Sequence, residues 1–377
     1  MDHPIDLATV NVGLAGIRRY VVDTAELDRT DCLWPADYLV FATNPLSVAY
    51  GACGTALFLS DHEQGVPDPI LAWIRRQPIS LETYPPGLFV GMAGIAFAFL
   101  RCGLMAEAST ILEQAMGSKL LYAEPGVFLG VAGWGLVCLQ MQKATGDHYW
   151  VEHAERAADH LSRTANRAEV GSFWVTNLDK ETHLGYGYGS SGIGLFLTQL
   201  YLQTGERKWA DLALDAIDFD LNNAVPTGVG RQWRHHLDGS IVYPYWIHGT
   251  AGVGSVLVRC AELLDRQEWL TTAQELAEEA FVVHSVVPGQ FIGLAGIGEF
   301  MLDVYAATGR TQFYDSALQI AESVLRFGID RPEGLAFPGR SLSKISNDYG
   351  TGSAGVGCFL ARLSSGRAER YFFDSCR

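Results

Sequence analysis

The stretch GSSGIGLFLTQLYLQTG, residues 189–205, decides how the rest of the chain is read. It opens on Gly189 and Gly192, three apart, runs apolar on every side, and stops at Thr204-Gly205. A segment apolar all round reads as a helix buried on all faces. A glycine at its end accepts the left-handed conformation of a C-terminal cap. The KWADLALDAIDF that follows keeps helical spacing with one polar face, the pattern of an amphipathic helix lying outside the buried one.

The same opening recurs seven times: Gly51-Ala-Cys-Gly54, Gly91-Met-Ala-Gly94, Gly130-Val-Ala-Gly133, Gly189-Ser-Ser-Gly192, Gly249-Thr-Ala-Gly252, Gly293-Leu-Ala-Gly296 and Gly352-Ser-Ala-Gly355. In three units the closing Thr-Gly stands at a constant distance, Gly130 to Gly146, Gly189 to Gly205 and Gly293 to Gly309. Two further amphipathic segments, HYWVEHAERAADHLSR and FYDSALQIAESVL, follow such stops. The repeat is a buried helix, a glycine turn, an amphipathic helix and a return loop. Unit spacing varies from about forty to sixty residues, whereas an open solenoid keeps a steadier period and polar end caps. The expected fold is therefore all-α, a closed α/α toroid (double helical barrel) of seven inner and seven outer helices. Residues 41–377 form its domain, and residues 1–40 a linker or extension. Small residues three apart are expected to let neighbouring inner helices approach closely. Seven helix N-termini at one end of the cavity would favour a developing negative charge.

Composition suits a folded chain: 48% hydrophobic and 18% charged, with 9 Trp and 18 Phe for a core. The formal net charge of −15 repels nucleic acid and anionic membrane surfaces and suits a neutral or basic peptide. Seven scattered cysteines, Cys32, Cys53, Cys102, Cys138, Cys260, Cys358 and Cys376, contain no C-x-x-C pair, which points to a reducing cytoplasm. The start MDHPIDLATV lacks the basic and apolar regions of a secretory signal. The apolar run from Tyr84 to Leu100 carries two prolines and reads as a buried helix rather than a membrane span. His235-His236 suggests a metal site, but the pattern offers no third ligand and none is assigned. Ser190-Ser191 lacks the G-x-S-x-G elbow of a serine hydrolase.

Seven helices opening in Gly-x-x-Gly, each paired with an outer one, resemble the lanthionine synthetase C-like family, over roughly residues 40 to 365. The resemblance implies a toroid that binds a dehydrated precursor peptide, whose cysteine thiols add to dehydroalanine or dehydrobutyrine and close thioether rings. Zinc-dependent members hold the metal with a Cys two residues before the fifth motif and a Cys-His pair directly before the sixth. Those positions are Ile247, Phe291 and Ile292 here, none of which can ligate zinc. The family histidine before the fourth motif is Tyr188, and the acid four residues before the third is Gly126. With GYGYGSSGIGLFL around Tyr188, the pattern is similar to the zinc-ligand-lacking cyclase domains of class III lanthipeptide synthetases. In those enzymes a lyase and a kinase-like domain precede the cyclase, and the chain carries no kinase landmark. Kinase and lyase domains or proteins of the same pathway are then the implied partners, and no cofactor is called for.

Thiol addition needs a thiolate and then a proton for the enolate carbon. Without zinc the expected catalytic residues are His248, directly before the fifth motif, as base or proton shuttle; Tyr188 as proton donor or carbonyl partner; and Asp348 with Tyr349 before the seventh motif. Tyr186, His183, Trp246 and Tyr245 are the expected substrate-binding residues. A non-catalytic scaffold that holds the peptide for a partner is the alternative. A glycosidase would need an acid pair, for which Asp348, Glu82 and Glu124 are the candidates near the motifs.

Overall fold

The computed structural model describes residues 5–227 and 230–366; Cys376 and the first four residues of the chain lie outside them. The described residues form fifteen helices and seven short strands. The helices are α1 (Leu7–Asp23), α2 (Leu39–Ala42), α3 (Ala52–Ser60), α4 (Asp68–Arg76), α5 (Met92–Arg101), α6 (Met105–Met116), α7 (Val131–Thr145), α8 (Tyr149–Thr164), α9 (Ser190–Thr204), α10 (Arg207–Asn222), α11 (Thr250–Cys260), α12 (Glu268–Ala280), α13 (Leu294–Thr308), α14 (Thr311–Leu325) and α15 (Ser353–Ser365). The strands make three small antiparallel pieces in the return loops: β1 (Asn166–Arg167) with β2 (Ser172–Phe173), β3 (Val225–Pro226) with β4 (Arg231–Arg234) and β5 (Val242–Tyr243), and β6 (Ile329–Arg331) with β7 (Gly334–Ala336).

The described residues divide into two compact units, one of 5–79, 98–105 and 281–366, the other of 80–97 and 106–280. The first unit sets α13, α15 and α3 side by side, backed by α14, α1 and α4. In the second, α7, α9 and α11 lie side by side, backed by α8, α10 and α12. Seven buried helices are present (α3, α5, α7, α9, α11, α13, α15), although the Tyr84–Leu100 run read as one buried helix is helical only from Met92. The three amphipathic segments quoted form α8, α10 and α14, and an outer helix after α15 falls outside the described residues. Gly146, Gly205 and Gly309 end α7, α9 and α13 with φ of 72°, 70° and 66°. Residues 1–40, expected as linker or extension, include α1, whose buried face (Val10, Gly13, Ile17, Val21) packs on α15 and β7. No helix among the described residues is long and apolar enough to cross a membrane. The described cysteines are all free.

The glycine pairs have a different use from the one expected. A Cβ at Gly192 or Gly252 would overlap the carbonyl oxygen of Tyr186 or Trp246, six residues upstream, and Gly54, Gly133 and Gly355 face the same kind of carbonyl. Each helix start is thus wrapped by its own preceding loop. Close approach between inner helices uses a third glycine two residues further on. Gly135 of α7 receives the Phe196 ring of α9, Gly298 of α13 receives Phe359 of α15, and Gly357 of α15 receives Phe58 of α3.

Candidate functional site

The loops that precede the inner helices are tied edge to edge by backbone hydrogen bonds. In the second unit Gly87 N–H donates to Leu129 O (2.8 Å), Phe128 N–H to Gly187 O (2.8 Å), and Gly187 N–H to Ile247 O (2.8 Å). A further tie runs sideways. Leu184 N–H donates to His235 O at 3.1 Å, Leu237 N–H donates to Thr182 O at 2.8 Å, and His183 bridges His236. Gly185 makes this possible: its φ is +87°, and a Cβ there would overlap the His248 carbonyl.

These ties bring three histidines from separate segments together. His183 comes from the loop before α9, His235 from the end of β4, and His248 from the last turn before α11. Ring centroids are 4.7 Å apart for His183 and His235, 3.9 Å for His235 and His248, and 6.4 Å for His183 and His248. One nitrogen from each ring lies within 4.8 Å of the other two. His183 is buried and the other two are half-buried. The Tyr188 ring stacks on His248 at 5.4 Å and on Phe128 at 4.8 Å. Tyr243 stands 6.4 Å from both His235 and His248.

Burial, then the neighbouring imidazoles, push His248 well below the ordinary histidine range and His235 down to about 4. Both rings are therefore neutral at pH 7, with an unshared electron pair on one nitrogen each. On the far side of His183, its Nε2 lies 2.8 Å from Asp179 Oδ2. Burial opposes the Asp179 charge, but hydrogen bonds from the Thr176 hydroxyl, His183 and the Glu181 N–H prevail and hold its carboxyl well below the usual range. The carboxylate fixes the His183 tautomer and leaves Nδ1 as the free nitrogen. His183 Nδ1 and His248 Nδ1 are buried without a hydrogen-bond partner among the described residues. The His236 ring lies 5.7 Å from His235 and 6.2 Å from His183, with Nδ1 3.3 Å from Glu181 Oε2.

The other expected residues fall into two groups. Tyr186 and Trp246, expected to bind substrate, are 2% and 1% exposed and lie against each other and Phe89, in the layer supporting the loops. Tyr245 is half-buried, 6.4 Å from Tyr243. Asp348 and Tyr349 belong to the first unit. Asp348 is fully engaged there: Oδ1 accepts from the Thr351 N–H (2.7 Å), Oδ2 from the Asp37 N–H (2.8 Å) and from the Ser346 hydroxyl. Tyr349 is 2% exposed and meets Phe291 edge-on at 5.8 Å.

Ile247, Phe291 and Ile292 present hydrocarbon only, so the residues at those three positions do not fit a zinc ion. In the sequence, His235 and His236 have no third donor in the local pattern. The fold supplies two, His183 and His248, from loops about fifty and thirteen residues away along the chain. No local spacing announces such a set, and the paired His235-His236 was its one visible trace.

The family model for lanthionine synthetase C-like protein matches residues 43–376. Over 347 residues the sequence is 29% identical to the probable SapB synthase of Streptomyces coelicolor, covering 90% of the chain and 36% of that protein. The chain thus spans about a third of that relative's length. Among solved structures, nisin cyclase superposes with a TM-score of 0.64 at 16% identity, covering 87% of this chain and 90% of that one. The α-1,6-mannanase of Salegentibacter sp. HEL1_6 gives 0.55 at 14%, covering 97% and 100%. At these identities the structures speak to fold alone, and the fold is the all-α, α/α toroid.

Proposed function

The chain belongs to the lanthionine synthetase C-like family, and from that premise we propose that it is a lanthipeptide cyclase domain of the class III kind, forming lanthionine or labionin rings in a dehydrated precursor peptide without the family's zinc. The absence of any donor atom at Ile247, Phe291 and Ile292 supports the zinc-independent reading. The observation that carries the assignment is the stack of Tyr188 on His248 where the openings of α7, α9 and α11 are tied together. In the reaction the cysteine S–H is broken, sulfur bonds to Cβ of the dehydroamino acid, the Cα=Cβ π bond opens to an enolate, and Cα takes up a proton. Nothing is oxidised and nothing leaves.

His248, neutral at rest, receives the thiol proton only in passing and returns it toward Tyr188 or Cα, since burial disfavours a lasting imidazolium. Tyr188 donates a hydrogen bond to the carbonyl on which charge develops, or the proton to Cα. Asp348 and Tyr349 serve in this reading as positioning residues that brace the turn before α15. Partner kinase and lyase activities supply the dehydrated peptide. A scaffold that binds the peptide without chemistry is the second reading, favoured by the same hydrocarbon at the three ligand positions.

Free-thiol counting on a dehydrated precursor separates them. Cyclisation predicts thiol loss well above the uncatalysed rate, reduced about 10²-fold or more in His248→Ala and Tyr188→Phe. Binding of the peptide with thiol loss at the uncatalysed rate would establish the scaffold instead.

A further inference from the structure

We infer that His183, His235 and His248 form a binding site for one late first-row divalent cation, zinc above all, distinct from the positions that carry zinc ligands in the resembled enzymes. The inference does not depend on the cyclase reading.

The geometry is close to what a cation needs. Three atoms mutually within 4.8 Å share a point at most about 2.8 Å from each, against roughly 2.0 to 2.1 Å for a zinc–imidazole bond. Each ring has less than about 1 Å to travel. The donors are of one kind, imidazole nitrogen, which suits Zn²⁺, Co²⁺, Ni²⁺ and Cu²⁺ and disfavours Mg²⁺ and Ca²⁺. Three protein ligands with two half-buried rings leave a position open for water or another small donor.

Two further observations point to a ligand. First, the buried His183 Nδ1 and His248 Nδ1 have no partner among the described residues, an arrangement that costs free energy at each nitrogen unless a ligand satisfies it. Second, His183 already carries the outer support of a metal-binding histidine. The Asp179 carboxylate accepts a hydrogen bond from its Nε2–H at 2.8 Å and is itself held by the Thr176 hydroxyl and the Glu181 N–H. His236, the neighbour in sequence, has its Nδ1 3.3 Å from Glu181 Oε2 without a hydrogen bond between them, and lies outside the set.

A cation here engages the His248 lone pair that proton transfer would use, so the two roles of His248 exclude one another. The metal-loaded protein is a separate state from the one to which cyclisation is assigned.

The test uses the full chain without a polyhistidine tag, stripped with a chelator and titrated with Zn²⁺ by calorimetry and with Co²⁺ by visible absorption. We expect one equivalent, a micromolar or tighter dissociation constant, and a ligand-field spectrum without the intense thiolate-to-metal band of a cysteine site. His183→Ala, His235→Ala and His248→Ala should each weaken binding at least 100-fold. Asp179→Asn should weaken it 10- to 100-fold, and His236→Ala should leave it unchanged. Metal should also raise the unfolding temperature of the wild type and of His236→Ala, a readout that survives even if one of the alanine variants fails to fold. Absence of binding in the wild type would overturn the site, and so would binding that His235→Ala leaves intact or that His236→Ala weakens as much.

Discussion

Gly185 shows how much of the candidate site hangs on single positions. Its left-handed φ and the His248 carbonyl packed on it leave no room for a methyl group. Gly185→Ala should therefore cost about 2 kcal/mol or more in urea unfolding, and Gly205→Ala, at φ +70° with open space around it, about 1 kcal/mol. Equal losses for the two would refute the close-packed loop. Asp220 gives a pH signature. Burial pushes its carboxyl up to about 7 despite hydrogen bonds from the Ser191 hydroxyl, the Ser191 N–H and the Gly185 N–H. The folded chain then keeps a proton between about pH 4 and pH 7 that the unfolded chain has released, so this group makes stability fall as pH rises through that window, by a few kcal/mol at most. Asp220→Asn should flatten that part of the stability profile, and a slope identical to the wild type would show that Asp220 is ionised throughout. At this scale the sequence was informative for His248 and Tyr188, which adjoin a visible motif. It was silent on Asp220, whose role depends on α10 lying against the start of α9.

Elements were the most legible layer. Three Thr-Gly stops at a fixed distance from a glycine start locate α7, α9 and α13, because a left-handed cap is nearly a glycine monopoly. The purpose of the paired glycines was less accessible, since a carbonyl six residues upstream leaves no periodic trace. Between α13 and α15 sits another feature the pattern hides. Arg362 Nη1 lies 2.6 Å from Glu299 Oε2 and 2.7 Å from Asp303 Oδ1, all three side chains 1–2% exposed. Removing the cation strands two buried carboxylates, so Arg362→Met should lower unfolding free energy by about 3 to 5 kcal/mol. A loss under about 1 kcal/mol in denaturant titration would mean that water reaches the pair.

For the whole molecule, the family and the fold were readable from the seven-fold opening, and 16% identity with nisin cyclase accompanies a TM-score of 0.64. The histidine set was not, because it joins three loops whose meeting is decided by backbone pairing rather than by any motif. That pairing carries a wider consequence. From Gly87 through Leu129, Phe128 and Gly187 to Ile247, the loops at the helix mouths are sewn edge to edge with main-chain N–H and C=O groups. Such stitching is indifferent to most side-chain exchanges. Side chains beside the seam, Ile247 and His248 among them, can change while the seam holds. Chemistry in this architecture is thus free to be rewritten without renegotiating the fold.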